Sequence, residues 1–208
     1  MLETPPRQGP CIVASNHISH FDPAILGAFF PRAVDWMAME KLFHYRWSAR
    51  FFSSVNVIPV NRFGTDFQAN RRSLHVILSR LAEGRAIGIF PEGGIRVGAS
   101  SILEKAPMKP GLVTISILGK APIIPCVILG SDRLYDPAQW FRRPQLWIII
   151  GKAILPPIKR TTDDEKKVFQ ETLSAAFPAL QAELCKRFHL TNDDLPKPPQ
   201  ARKGGEQC

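Results

Sequence analysis

Short unbroken apolar runs punctuate the chain. Cys11 to Ala14, Ala86 to Phe90, Ala121 to Gly130 and Leu146 to Ile150 carry almost no polar residue. Runs this short and this apolar predict strands buried on both faces. Ala33 to Met39 and Val55 to Val60 add two more strand segments. Between them the period lengthens. Residues 23–30 follow Asp22-Pro23, a helix-start signal, and Pro31-Arg32 ends them. Over 66–83, Phe67, Leu74, Ile77, Leu78 and Leu81 fall on one stripe, with Gly84 as the stop. Leu112 to Leu118 is a third helix, ended by Gly119. Thr162-Asp163-Asp164-Glu165 is a capping box that opens a long amphipathic helix, predicted to bend at Pro178. Strands interleaved with helices give an α/β fold, a mostly parallel central sheet flanked by helices. Residues 1–190 read as one domain, and 191–208, polar and rich in proline, lysine and glycine, as a disordered tail.

Composition narrows the partners. The 208 residues suffice for one sizeable core. A formal net charge of +9 suits an anionic partner: nucleic acid, an anionic bilayer or a phosphate-bearing substrate. No nucleic-acid motif is recognisable, so nucleic acid is set aside. The four cysteines are scattered with no Cys-x-x-Cys pair, which fits a reduced, intracellular protein. No apolar run approaches the roughly 20 residues that cross a bilayer, and Met1 to Gln8 lacks the features of a signal peptide. Two stretches mix aromatic and basic residues. Residues 36–52 hold Trp36, Phe43, Tyr45, Trp47, Phe51 and Phe52 with Lys41, Arg46 and Arg50; residues 133–147 hold Tyr135, Trp140, Phe141, Arg142, Arg143 and Trp147. For the first, contact with membrane headgroups and packing in the core are both open.

The chemistry concentrates in Ser15-Asn16-His17-Ile18-Ser19-His20-Phe21-Asp22, between the first strand and the first helix. A turn there brings Asp22 within reach of His17 Nδ1, which fixes the tautomer and leaves the other nitrogen to take a proton. That is a serine-protease arrangement without its serine, so the nucleophile comes from the substrate. Competing readings make Asp22 a helix cap, His17 a core histidine, or His17, His20 and Asp22 a metal site. Against the last, no His-Glu-x-x-His pattern or second ligand cluster exists. Neither Ser15 nor Ser19 lies in a Gly-x-Ser-x-Gly elbow.

Asn16, His17, Ser19 and Asp22 fit N-H-x-S-x-x-D, and this stretch resembles the first motif of the glycerolipid acyltransferase family. Three further stretches resemble that family in the same order. Val55 to Arg62 resembles a strand closing in arginine, with Asn61 in place of the frequent aspartate. Phe90-Pro91-Glu92-Gly93 resembles the start of F-P-E-G-T-R, with Gly94 and Ile95 at the last two places and Arg96 one position late. Ala121 to Gly130 resembles an apolar strand with two prolines, Pro122 and Pro125, expected to wall an acyl tail or to be plain core. The resemblance covers about residues 10–155.

The resemblance implies transfer of a fatty acyl group from a thioester, on coenzyme A or acyl carrier protein, to a lysophospholipid hydroxyl. His17 is then the base and Asp22 its orienting acid. Arg62, Glu92, Gly93 and Arg96 contact the acceptor, expected to be 1-acyl-glycerol-3-phosphate. Lys109, before the third helix, is a further candidate charge. No metal and no prosthetic group is expected. An anionic membrane surface is the implied partner, with the protein peripheral on its inner, cytoplasmic face. The departure at Ile95 and Arg96 keeps open an acceptor without phosphate, such as a lyso-aminolipid, glycolipid or carotenoid hydroxyl. A lipid-binding protein without turnover is the alternative from another class.

Overall fold

A computed structural model describes residues 5–39, 57–60, 67–157 and 162–198. Among these, six strands form one sheet: β1 (Cys11–Ser15), β2 (Val34–Met39), β3 (Ile58–Val60), β4 (Ala86–Ile89), β5 (Ile123–Leu129) and β6 (Trp147–Ile150). Their order is β3-β2-β4-β1-β5-β6. Every neighbouring pair is parallel except β5 with β6. β1 is central, with Val13 opposite Gly88 on one side and Ile124 on the other.

Both faces of the sheet are covered, which is why its strands read as unbroken apolar runs rather than alternating ones. Cys11 and Val13 point to one face, where Leu26 and Phe30 of α1 (Asp22–Phe29) and its end pack with Val34 and Trp36. Ile12 and Ala14 point to the other. There they meet α2 (Phe67–Ala82) through Ile77 and Leu81, and α3 (Gly111–Gly119) through Leu112, Val113 and Ile115. α5 (Asp163–Phe188) completes that face with Phe169, Leu173, Phe177, Leu180 and Leu184. α4 (Pro137–Phe141) is a short helix between β5 and β6. The capping box at Thr162 and Glu165 forms as expected, and α5 runs on through Pro178. All seven residues of β5 are buried, so Pro122-to-Gly130 is chiefly core.

One close approach shapes the region under the site. Trp36 lies across β4 where Gly88 has no side chain; a Cβ there would stand 2.3 Å from the indole. Trp36 in turn stacks on Phe90, ring centroids 4.9 Å apart.

Residues 191–198, expected to begin a disordered tail, fold back on the segment after β5. Arg133 Nη2 donates to Asp194 Oδ1 at 2.8 Å, and the Lys197 amide donates to Asp132 Oδ2 at 3.1 Å. Residues 199–208 lie outside the described residues, as do Arg62 and most of the 36–52 aromatic–basic stretch. Among the described residues, no helix is long and apolar enough to cross a membrane.

Candidate active site

In open parallel sheets, ligand-binding groups gather beyond the carboxyl ends of the strands. Here three adjacent strands, β4, β1 and β5, deliver side chains to one point. The first device is Asn16, fully buried just past β1. Its Oδ1 accepts the Ile128 amide and its Nδ2 donates to the Ile128 carbonyl, each at 2.9 Å. A side chain thus continues the β1–β5 ladder where the backbone leaves it, and fixes where the next residue, His17, emerges.

The turn then closes on Asp22. The Phe21 amide donates to Ser19 Oγ at 3.2 Å, and the Asp22 amide to the Ser19 carbonyl at 3.1 Å. The Asp22 carboxylate turns inward and is fully buried. Its Oδ2 accepts the amides of Ile18 and Ser19, each at 2.8 Å, and stands 2.9 Å from His17 Nδ1. Its Oδ1 accepts Ser131 Oγ–H at 2.5 Å. The helix-cap reading of Asp22 is therefore corrected. Phe21 is the N-cap, no side chain caps α1, and Asp22 is its first residue. Four donors converging on a fully buried carboxylate hold it better than the helix amides would. An ionised carboxylate only accepts, so the His17 contact places the proton on Nδ1 and the lone pair on Nε2. The imidazole side chain keeps 15% of its surface exposed. It stacks on Phe90 at 4.1 Å and 18°, making a column His17–Phe90–Trp36.

Glu92 is held on both oxygens by protein donors. Its Oε2 accepts the His17 amide at 2.6 Å; its Oε1 accepts Ser101 Oγ–H at 2.6 Å and the Ile102 amide at 2.9 Å. Only 5% exposed, it ties the turn after β1 to the loop after β4. Burial pushes its carboxyl above the ordinary carboxylate range, against the pull of its three donors. Gly93 follows at φ 67°, with the Lys109 stem over the place a side chain would take. Arg96 is joined to the turn by its backbone: its amide donates to the His17 carbonyl at 2.8 Å. Its exposed guanidinium donates to the Ile95 carbonyl at 3.3 Å. His20 is held by Tyr135: its amide and Nδ1 both meet Tyr135 Oη, at 3.0 and 2.5 Å.

The structure thus brings together His17, Asp22, Glu92, Gly93 and the Arg96 backbone, and leaves Arg62 outside the described residues. Sequence reading missed Ser131, Ser101 and the Phe90–Trp36 stack. Ser131 is 109 positions from Asp22. Nothing local marks it beyond its place after a strand-ending glycine.

Comparison with known proteins fits this geometry. A family model described as Acyltransferase matches residues 1–129. A 1-acyl-sn-glycerol-3-phosphate acyltransferase of Bacillus subtilis is 28% identical over 153 residues, 73% of this chain and 70% of that protein. An N-acylphosphatidylethanolamine synthase of Arabidopsis thaliana is 26% identical over 144 residues, 60% of this chain and half of that protein. The chain spans 41% of a Saccharomyces cerevisiae 1-acyl-sn-glycerol-3-phosphate acyltransferase, at 28% identity. The solved 1-acyl-sn-glycerophosphate acyltransferase PlsC of Thermotoga maritima shares the fold, with a TM-score of 0.59 over 88% of this chain and 70% of that one, at 19% identity. The matched region runs past the end of β4 to the last residue of β5, taking in His17, Asp22 and Glu92, and the chain belongs to the acyltransferase family.

Proposed function

We propose that the protein moves a fatty acyl group from an acyl thioester, on coenzyme A or acyl carrier protein, to the hydroxyl of a lysophospholipid. The acceptor is 1-acyl-glycerol-3-phosphate and the product phosphatidic acid. The observation that carries this reading is the 2.9 Å contact between His17 Nδ1 and a carboxylate with no exposure, at the carboxyl end of the central strand. Nε2 takes the acceptor's hydroxyl proton as that oxygen attacks the thioester carbonyl. The C–S bond then breaks, and the imidazolium returns the proton to the departing sulfur. An ester and a free thiol result, with no metal or prosthetic group in the sequence of steps. A base of this kind contributes about 10²–10⁴ in rate. Glu92 acts here as a positioning residue rather than an acceptor ligand, since both its oxygens already hold protein donors. Arg62 is proposed for the acceptor phosphate, where a planar guanidinium pairs two oxygens at once. Gly93 and Arg96 border the acceptor. The partner surface is an anionic membrane, approached from its cytoplasmic side.

One observation favours a second acceptor class. The Arg96 guanidinium is bonded within its own loop, and Gly94-Ile95 stands where the family has threonine and arginine. The name of the Arabidopsis relative also points to an amine-bearing phospholipid. The test offers purified protein a labelled acyl thioester with lysophosphatidic acid, lysophosphatidylethanolamine or phosphatidylethanolamine. The expected result is phosphatidic acid from the first, and a fall of about 10² or more in His17→Ala. Turnover only with the amine lipids installs the second reading. An unimpaired His17→Ala overturns the assigned base.

A further inference from the structure

We infer that the tip formed by α4 and the two arginines after it is the element that seats this protein on an anionic lipid bilayer. The inference rests on the proposed reading that the acceptor is a membrane lipid. Phe141 is 92% exposed and Trp140 57% exposed, side by side at the end of a five-residue helix. Arg142 and Arg143 follow, both exposed. Arg143 adopts φ 51°, in the left-handed region. Asp136 is the sole acidic residue between Leu134 and Trp147. Its carboxylate is already engaged, accepting the Ala138 amide at the start of α4. The tip therefore exposes apolar rings next to cationic residues.

The aromatic residues are held, not loose. Trp140 Nε1 donates to the Leu134 carbonyl at 2.9 Å, and the indole meets Phe21 edge-on at 6.4 Å. Phe21 packs on Tyr135 at 6.0 Å, and Tyr135 Oη holds His20. Phe21 and His20 both belong to the turn that carries His17. A continuous aromatic path thus joins the exposed tip to the site. Phe141 does nothing for the core in this position, and a protein surface in water gains nothing by presenting it.

An anionic bilayer answers each feature. Its interface accepts Trp and Phe rings at headgroup depth, and its surface potential draws arginine. Seated this way, the tip brings the His17 turn to where a lysophospholipid hydroxyl emerges from the membrane.

The test is co-sedimentation of the full chain with vesicles of phosphatidylglycerol and phosphatidylcholine in equal parts, and with vesicles of phosphatidylcholine alone. Wild type should prefer the anionic vesicles and release as salt rises. Arg142→Gln with Arg143→Gln should weaken that binding about 25-fold, about fivefold for each charge. Phe141→Ala should weaken it about tenfold on either vesicle. Both variants should keep wild-type melting temperatures and full turnover of a short-chain acceptor dissolved as monomers. Vesicle binding unchanged in both variants overturns the inference, and so does equal wild-type binding to the two vesicles. Unchanged vesicle binding with a smaller sedimenting species would assign the tip to contacts between copies instead. Loss of turnover on the monomeric acceptor would make the tip part of the site and overturn docking as its role. Vesicle binding does not depend on turnover, so failure of the proposed reaction and failure of docking are read separately.

Discussion

At the scale of residues, the site turns on how one carboxylate is satisfied. Asp22 Oδ2 meets three donors from its own turn, whereas Oδ1 takes Ser131 from beyond β5. Of the first set the His17 contact was legible from the five-residue spacing, and the Ile18 and Ser19 amides were not. The second was not, because a hydroxyl 109 positions away leaves no local trace. The same inward pull explains the misplaced helix cap. Asp-Pro before an apolar run looks alike whether the carboxylate faces the helix amides or the interior. Ser131→Ala leaves a buried carboxylate oxygen without its donor, a loss of about 1–3 kcal/mol. Urea unfolding should show that loss. Turnover should fall about tenfold, equivalent to about 1.4 kcal/mol in the barrier, with the acceptor KM unchanged and activity recovered in Ser131→Thr. Wild-type rate and stability in Ser131→Ala would leave the hydroxyl without a part in the site.

At the scale of elements, strands and helices were readable from apolar runs and helical stripes, because a doubly covered sheet gives its strands no polar face. Strand order was not readable. Parallel partners are set by crossovers, and nothing in the runs says that β1 lies between β4 and β5. The stack under the imidazole depends on that order. Val34–Met39 pairs with β4, so Trp36 falls beside Gly88 and reaches Phe90, which carries His17. A methyl at Gly88 would stand 2.3 Å from the ring of Trp36, which is buried and stacked on Phe90. Gly88→Ala should therefore cost about 1–3 kcal/mol, as overpacked sites do. It should also reach the site: displacing the column by a fraction of an ångström misplaces His17, and misplacement near 1 Å costs about 10² in rate. Thermal unfolding and turnover of the same sample check both. A variant that loses stability but keeps its rate would show that the stack supports the sheet alone.

At the scale of the whole molecule, the site exists only where β4, β1 and β5 end together, and Glu92 is the group that fastens the first two. It was legible as a motif residue, but its bonds to Ser101 and Ile102 were not, since they depend on a loop that no periodicity describes. Glu92→Gln leaves at least one of its three donors facing an amide N–H₂ instead of an oxygen, at about 1–3 kcal/mol. If Glu92 positions the turn, kcat falls while the acceptor KM stays. If it touches the acceptor, KM rises. The pH dependence gives an independent reading. Burial raises the Glu92 carboxyl above its ordinary value near 4.3. Between the unfolded and folded values the native state binds the extra proton, so stability must fall as pH rises across that window. This contribution is complete below the unfolded value and lost once pH passes the raised folded one. Glutamine does not titrate, so the stability gap between wild type and Glu92→Gln should be widest at low pH and narrow as pH rises. Urea unfolding of both proteins in steps upward from about pH 4 measures that gap, and a gap that stays constant or widens would mean that this carboxylate is not desolvated in the folded chain.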